Sequence, residues 1–229
     1  MRWSSRIALA ALATFTLAAC DDDDPVRPTA QGRVRAMHAI SNVATMDMLF
    51  NTTSYKTNVA YKGSDGYKAT AVGATAVKFR KSGVATDLLS VNATVANGAD
   101  YTVIALGTEA APQSLVLTDD NATPAAGKVK LRAIHAAAGA GAVDVYVLAN
   151  ANDLATATPA ASNLAARAAS AYIDRDAGTY VVVLTAAGNK TALLTLSGVQ
   201  VAAGGIRSII AVEKTGGGTP LEGITLTDR

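Results

Sequence analysis

RVRAMHAISNVATMDMLF, residues 33–50, decides the fold, because the chain contains this stretch twice. The second copy, KLRAIHAAAGAGAVDVYV, occupies residues 130–147. The two copies align without a gap, so a single structural unit is predicted to occur twice. Five identical pairs share a constant spacing of 97 residues: Arg35 and Arg132, Ala36 and Ala133, His38 and His135, Ala39 and Ala136, and Asp47 and Asp144.

The repeat continues to the C-terminus in blocks, and the spacing between the copies changes in only a few places. Tyr67, Gly73, Gly83, Thr86, Leu88 and Leu89 recur 105 residues later as Tyr172, Gly178, Gly188, Thr191, Leu193 and Leu194. Val95, Ala96 and Gly98 recur 106 residues later, and Leu117, Thr118 and Asp119 recur 109 residues later as Leu226, Thr227 and Asp228. A period of this length indicates a duplicated domain, not a solenoid repeat.

The changes in spacing also locate loops and boundaries, because loops tolerate insertions. We predict a loop between Phe50 and Tyr67, and a corresponding loop over 148–171 in which 162–169 forms a short helix. The two domains are predicted at 31–120 and 128–229. The segment NATPAAG, residues 121–127, has the composition of a linker.

Short runs of β-forming residues end at turn signals throughout each copy. In the first copy we predict strands near 34–39, 45–50, 68–72, 76–80, 88–95, 100–106 and 113–118. The Asn97-Gly98 pair is a strong hairpin signal. About seven short strands in roughly 90 residues predict an all-β chain of two tandem immunoglobulin-like antiparallel β-sandwich domains.

Composition excludes some functions. The chain of 229 residues is 50% hydrophobic and 17% charged, which is typical of globular domains. Lys and Arg number 20 against 18 Asp and Glu, and removal of Arg2 and Arg6 with a signal peptide would leave the chain neutral. We therefore expect no nucleic-acid partner, since that requires a concentrated positive charge. The single cysteine excludes an intramolecular disulfide.

The first 19 residues have the pattern of an export signal. Arg2 and Arg6 are followed by an apolar run at 7–19, which is shorter than the roughly 20 residues needed to span a bilayer. The run ends in Leu-Ala-Ala-Cys at Cys20, which resembles the bacterial lipoprotein signal. That resemblance implies cleavage before Cys20 and a diacylglycerol on its sulfur. The alternative is an ordinary secretory signal followed by an unmodified cysteine.

An acidic, proline-containing segment follows at 20–30. Its four consecutive aspartates, 21–24, are compatible with a calcium site, but we favour a solvated tether between membrane and first domain. The expected location is a bacterial cell envelope, periplasmic or surface-exposed, with the lipid anchor as the contact to the membrane.

The blocks VRAMHA…MDMLF and LRAIHA…VDVYV, followed by AGTYVVVLTAAG and VAAGGIRSIIAV, resemble the bacterial domain of unknown function 4397 family. The resemblance covers nearly all of the chain after the signal, once per copy. It implies an extracytoplasmic β-sandwich, often in tandem and often on lipoproteins, and it implies no established activity. The first copy departs from the family pattern at 41–45, where a proline-containing turn is usual, and at Met48-Leu49, where Val-Tyr is usual.

His38 with Asp47, and His135 with Asp144, are the candidate site residues. The functional hypothesis is a His–Asp pair that acts as a base or holds a metal, if the two strands are neighbours. A hydrolase would also need a nucleophile and oxyanion donors, and a catalytic zinc needs three protein ligands. We favour a structural role for both pairs, in which each histidine fixes a loop. No catalytic residue, metal ligand or cofactor is predicted.

Arg35 and Arg132 are predicted to form buried or half-buried Arg–Asp pairs with a structural role. The tyrosines at 61, 67, 146 and 172 would have to cluster on one surface to bind a sugar, and the only tryptophan, Trp3, lies in the signal. The expected function is a non-enzymatic interaction, adhesion or spacer module with envelope proteins or polysaccharide as partners. The alternative is a carbohydrate- or cell-wall-binding module, and a hydrolase or metal-binding protein is the least favoured interpretation.

Overall fold

The computed structural model describes residues 30–228, and within this range the chain is built almost entirely from β-strands. The predicted signal peptide, Cys20 and the acidic tether lie outside the described residues. The first part of the chain contains β1 (Gln31–Ile40), β2 (Thr45–Phe50), β3 (Thr53–Ala60), β4 (Lys68–Ala71), β5 (Gly73–Lys81), β6 (Leu89–Val95), β7 (Asp100–Thr108) and β8 (Ala111–Asp119). The second part contains β9 (Lys128–His135), β10 (Val143–Leu148), a 3₁₀ helix (Ala151–Ala155), β11 (Ala161–Leu164), β12 (Ala168–Ala169), β13 (Ile173–Asp176), β14 (Gly178–Ala186), β15 (Ala192–Val201), β16 (Ile206–Val212) and β17 (Glu222–Thr227).

The first sandwich is formed by two four-stranded sheets with the orders β4-β1-β7-β8 and β3-β2-β5-β6. Along β5, residues alternate between buried and partly exposed positions, as a strand with one face on a core requires. Val77 and Phe79 point inward from this strand and pack with Val34, Met46 and Val103 from the other strands. The core of the first sandwich therefore lies between its two sheets.

The second sandwich repeats this topology. Its sheets have the orders β11-β10-β14-β15 and β12-β9-β16-β17, and β13 also pairs with β9. Val129, Leu131, Val145, Leu184 and Ile209 lie in the core between them. The predicted all-β sandwich fold is confirmed. One detail was not predicted: β1 pairs with β7, and β9 with β16, in parallel, whereas the other strand pairs are antiparallel.

A third apolar core lies between the two sandwiches. β1 is continuously buried from Val34 to Ile40, so both of its faces are covered. Met37 and Ala39 point away from the first core and pack with Ile134 and Ile210 of the second sandwich. The outer face of the β1-containing sheet thus lies against the outer face of the β9-containing sheet. The result is a four-layered body in place of two domains with an unfixed relative orientation.

Two local predictions were wrong. The segment between Phe50 and Tyr67 is not only a loop, because it contains β3, which pairs with β2. Residues 162–169 do not form a helix; they contain the end of β11, a turn and β12. The added residues of the second copy instead form the 3₁₀ helix at Ala151–Ala155.

The β3 segment was missed because its burial is irregular. Only Tyr55 and Val59 are buried, so the period-two pattern of a strand is absent. A left-handed residue interrupts it: Asn58 has a φ of 51°, and Asn163, its equivalent 105 residues later, has the same value. Asparagine tolerates this conformation better than most residues. The matching backbone in both copies shows that this irregularity belongs to the repeated fold.

Candidate functional site: an ionic joint between the two sandwiches

Arg35 crosses from the first sandwich to the end of the chain. Its position in β1 places the guanidinium between the two inner sheets, where its side chain is 3% exposed. One terminal nitrogen donates to the carboxylate of Asp228, and the other donates to the carbonyl oxygen of Thr227 at 3.2 Å. Its Nε donates to Thr102 Oγ1 at 2.7 Å. A residue in the middle of β1 is therefore bound to the C-terminal end of β17.

Arg132 makes the reciprocal set of contacts. It donates to Asp119 Oδ1 at 2.6 Å and to the carbonyl oxygen of Thr118 at 3.3 Å, at the end of β8. Its Nε lies 3.3 Å from Ser208 Oγ, the counterpart of Thr102. Each arginine thus binds the aspartate of the Leu-Thr-Asp block in the other copy. We call this group, formed by Arg35, Asp228, Arg132, Asp119, Thr102 and Ser208, the ionic joint.

Two hydroxyl groups connect the charges within the ionic joint. Thr102 accepts from Arg35 and donates to Asp119 Oδ2 at 2.5 Å. Ser208 Oγ accepts from Arg132 and donates to Asp228 Oδ2 at 2.6 Å. Both oxygens of each aspartate are therefore hydrogen-bonded. Full satisfaction of this kind is what a buried charged network needs to offset desolvation.

Two equivalent tyrosines cover the arginines. The ring centre of Tyr67 lies 4.6 Å from Arg35 Cζ, and that of Tyr172 lies 4.8 Å from Arg132 Cζ, within cation–π range. Tyr67 also donates to Asp119 Oδ2 at 2.6 Å. Burial raises the pKa of the Tyr172 hydroxyl to about 12, and burial with the nearby Asp119 carboxylate raises the pKa of Tyr67 as well. Both phenols therefore stay protonated.

The reciprocal pattern also includes contacts between the two copies outside the ionic joint. Lys62 donates to Glu222 at 2.6 Å, and its counterpart Arg167 donates to Gln113 at 3.1 Å. These contacts, like those of the ionic joint, connect one copy with the other in both directions. The interface is therefore self-complementary, like that of a two-fold homodimer, although both halves belong to one chain.

The two histidines are each fully buried and hold a loop. His38 Nε2 lies 2.8 Å from the carbonyl oxygen of Val43, and His135 Nε2 lies 2.9 Å from that of Gly141. A carbonyl only accepts, so Nε2 carries the proton. The backbone N–H of Ile40 donates to His38 Nδ1 at 3.2 Å, which fixes the neutral ring. Burial lowers the pKa of His38 to about 4, and it lowers the pKa of His135 too.

Asp47 and Asp144 hold the irregular strand segments and do not bond to the histidines. Asp47 Oδ1 accepts from the backbone N–H of Asn58 at 2.8 Å and from Ser82 Oγ at 2.9 Å. Asp144 accepts from the N–H groups of Asn163 and Gly188, each at 2.8 Å. The structure therefore does not bring each predicted His–Asp pair together. It brings together the predicted arginines, with aspartates from the end of each copy.

The sequence did contain a signal for the missing partners. Asp119 and Asp228 end the repeated Leu-Thr-Asp blocks, which were recognised as equivalent but not assigned to the arginines. The tyrosines at 61, 67, 146 and 172 do not form one exposed platform. Tyr146 is buried, Tyr61 donates to the carbonyl oxygen of Glu213 at 2.5 Å, and Tyr67 and Tyr172 lie on the ionic joint.

The family described as "Domain of unknown function (DUF4397)" matches residues 32–146, half of the chain. The chain belongs to this family, as its repeated blocks predicted. The matched region covers the first sandwich and continues through β9 into β10. No curated protein matches the chain. Among residues 30–228, no group of three or more His, Cys, Asp or Glu residues could hold a metal ion, and no helix is long and apolar enough to cross a membrane.

We expect Asp228→Asn to destabilise the folded chain by up to about 3–5 kcal/mol, because it removes the hydrogen-bonded anion of the buried Arg35 and leaves only Asp119 Oδ2, at 4.0 Å, near its charge. Asp119→Asn should cost at least as much, since Asp119 also accepts from Tyr67 and Thr102. Urea unfolding, followed by circular dichroism, measures both. Asp176→Asn is the control: its pair with Lys128 is exposed, so its loss should change the unfolding free energy by less than about 1 kcal/mol. Equal stability of Asp228→Asn and the control would contradict the role of the ionic joint.

The histidines make the free energy of unfolding depend on pH at values above those at which the carboxylates titrate. The pKa of each histidine in the folded chain lies below the ordinary 6.5, so the unfolded chain binds more protons in a window that begins at pH 6.5 and for His38 extends down to about 4. The stability they contribute is complete above pH 6.5. It should fall by up to about 1.4 kcal/mol per pH unit for each histidine as the pH decreases through this window.

The His38→Gln variant tests this, because a glutamine amide supplies a donor near the position of Nε2 without titrating. We expect it to be less stable at pH 7.5 but to lose less stability than the wild type between pH 6.5 and 4.5. The double variant with His135→Gln should be nearly independent of pH in the same urea experiments. An unchanged slope in the double variant would show that other groups cause the pH dependence.

Proposed function

We propose that the protein is a lipid-anchored cell-envelope protein whose two sandwiches form one non-enzymatic interaction or spacer module. The ionic joint and the apolar core around it are the observation that carries this proposal. They pack the two sandwiches against each other as one body. Such a body suits a part that presents a surface at a defined distance from its attachment point.

The direction of the strands supports an anchored arrangement. By register, β8 ends beside the start of β7 and β17 ends beside the start of β16, and these two ends contact Arg132 and Arg35 of the other copy. Beyond the opposite end of β1, Ser41 contacts the loop that follows β16. Both copies therefore begin at the same end of the body, the end to which the 20–30 tether leads. At about 3.3 Å per residue, the ten residues of β1 place the opposite loops roughly 33 Å further away.

The placement of the histidines supports a non-enzymatic role. Each is enclosed in the sandwich and bonded to the backbone of the loop that follows its strand. Neither ring reaches a surface where a substrate could bind. Both copies use the histidine in the same way, which is expected for a residue that stabilises the repeated fold.

A carbohydrate-binding module is the second candidate, and one groove favours it. The rings of Phe50 and Tyr55 stack with their centres 4.6 Å apart and line a groove of about 370 Å³. Asn51, Thr53 and Lys68 add polar groups to the same groove. An aromatic wall beside polar groups is compatible with a sugar. This groove lies in the first sandwich, away from the four tyrosines considered in the sequence.

The anchor is tested by fractionating cells that express the full-length wild type or Cys20→Ser. We expect the wild type in the membrane fraction and the variant in the soluble envelope fraction, because only a cysteine sulfur accepts the lipid. Ala19→Gly is the matched control, since it keeps a small residue before Cys20 and should remain with membranes. Membrane retention of Cys20→Ser equal to that of the wild type would refute lipid anchoring.

The soluble Cys20→Ser chain then serves to identify the partner. It is incubated in parallel with envelope polysaccharides and with detergent-solubilised envelope proteins. Retention of specific proteins would support the interaction role, and retention of neither class would support the spacer role. Binding to a polysaccharide that Phe50→Ala abolishes would favour the carbohydrate-binding candidate instead.

A further inference from the structure

A cavity of about 420 Å³ lies between the two sandwiches, at the end of the body opposite the tether. Gly107 contributes to it from the first sandwich, and Gly139 and Glu213 from the second. The three glycines 216–218 close one side. We call this cavity the glycine bowl. Pockets at the junction of two domains are frequent ligand sites.

Glu213 lines the bowl, although only 8% of the residue is exposed. One oxygen accepts from the N–H of Gly139 at 2.6 Å. The other has two longer contacts of 3.4 Å, with Ser41 Oγ and with the N–H of Gly218. These donors are neutral. None of the ion pairs among residues 30–228 includes Glu213.

This uncompensated charge distinguishes Glu213 from the acids of the ionic joint. Asp119 and Asp228 are equally buried, and each of them binds an arginine of the other copy. A buried anion without a cation is costly, and the cost is offset when a cation binds. The bowl therefore has a negative charge at its wall that the protein itself does not neutralise.

The carboxylate of Glu213 also has no counterpart in the first copy. The register of β1 with β7 and of β9 with β16 makes Gly107 the counterpart of Glu213. The loop after Glu213 is three residues longer than that of the first copy, as the spacing change from 106 to 109 shows. The fold is formed in the first copy without either feature. Glu213 and the longer loop are thus additions to the repeated structure, and they meet at one cavity.

The glycines keep the wall of this cavity free of side chains. Gly216, Gly217 and Gly218 have φ values of 87°, 99° and 80°, which other residues rarely adopt. A Cβ atom on Gly139 would lie 2.8 Å from Glu213 Oε1, and one on Gly217 would lie 3.3 Å from Oε2. Side chains at these positions would crowd the carboxylate. Glycine lets the backbone at 139 and 217 approach the carboxylate closely, and no side chain at these positions covers it.

From these observations we propose that the glycine bowl binds an organic cation, a primary ammonium or guanidinium group, with Glu213 as its counter-ion. A metal ion is a poor fit, because the bowl offers one carboxylate and no further acidic or imidazole ligand. A lysine or arginine side chain of an envelope protein carries such a group. This partner class rests on the proposed interaction role, whereas binding of the cation does not depend on the lipid anchor.

The test uses the soluble Cys20→Ser chain labelled with ¹⁵N, and three probes. Nα-acetyl-lysine amide carries an ammonium group, Nα-acetyl-arginine amide a guanidinium group, and Nα-acetyl-norleucine amide no charge. We expect a charged probe to shift the amide resonances of Gly139 and of residues 216–218 at millimolar concentration, and norleucine amide to leave them unchanged. The charged probe that binds more tightly identifies the group.

The Glu213→Gln variant removes the charge but keeps an acceptor of similar shape, and it should weaken binding of the charged probe at least about tenfold. Glu109→Gln is the matched control, because it removes one acid from the corresponding loop of the first copy, where Glu109 pairs with Lys81 outside the bowl. It should bind the probe like the parent chain.

Absence of shifts at the bowl with either charged probe, or equal shifts with norleucine amide, would overturn the proposal. The same holds if Glu213→Gln binds as tightly as the parent. Should Glu213→Gln fail to fold, the comparison of charged and uncharged probes on the parent chain decides the question alone. Loss of membrane anchoring in the fractionation experiment would leave these results unaffected, so the two proposals fail separately.

Discussion

The reciprocal bonding of two buried arginines to two buried aspartates constrains the structure more than any other interaction in it. A buried charge is tolerated only when an opposite charge and enough hydrogen-bond partners are in place. Arg35 finds its anion at Asp228, 193 residues later, and Arg132 finds its anion at Asp119. Arg35 lies 4.0 Å from Asp119 of its own copy, but neither arginine has its short charged hydrogen bond unless both copies are folded and correctly oriented. The ionic joint therefore selects one relative orientation of the sandwiches, whereas the apolar contacts around it supply the attraction. Apolar packing alone is less specific, because it tolerates shifts that charged hydrogen bonds do not.

Because the domain is duplicated, one set of residues is enough to form both sides of the ionic joint. A self-complementary surface needs only one set of residues, since the same arginine, hydroxyl and aspartate serve on both sides. The structure uses that set twice within one chain, and the eight residues between β8 and β9 keep the two surfaces at high local concentration. The Nε2 contacts of the histidines and the aspartate contacts to the strand irregularity likewise recur in both copies, although His38 Nδ1 accepts from Ile40 and the buried His135 Nδ1 has no such partner. Residues that recur in the same role are explained by the repeated fold, which accounts for the structural role of His38 and His135.

The sequence predicted the sandwich fold because turn signals and short β-forming runs are local features. β3 was missed because its left-handed Asn58 and irregular burial remove the alternation by which a strand is recognised. Buried Arg–Asp pairs were predicted for both arginines, but not the exchange of partners between the copies, because the bond from Arg35 to Asp228 spans nearly the whole chain. One signal for it was present: the run Thr-Val-Ile-Ala-Leu in β7 is apolar without alternation, which indicates a strand covered on both faces. The pattern indicates that both faces of β7 are covered, but it does not indicate which part of the chain covers them.

Residues that differ between the two copies cannot be explained by the repeated fold, so they point to a role that only one copy has. Gly107 and Glu213 occupy equivalent positions, yet one has no side chain and the other places a carboxylate in a cavity shared by both sandwiches. The 3₁₀ helix at Ala151–Ala155 is another addition, but it lies on one sandwich and contributes no buried residue. Glu213 differs in that it is buried, charged and placed at the junction that the duplication created. A site at this position needs both copies, because neither sandwich alone encloses the cavity. Duplication followed by a change in one copy is thus sufficient to turn a symmetric structural joint into an asymmetric binding site.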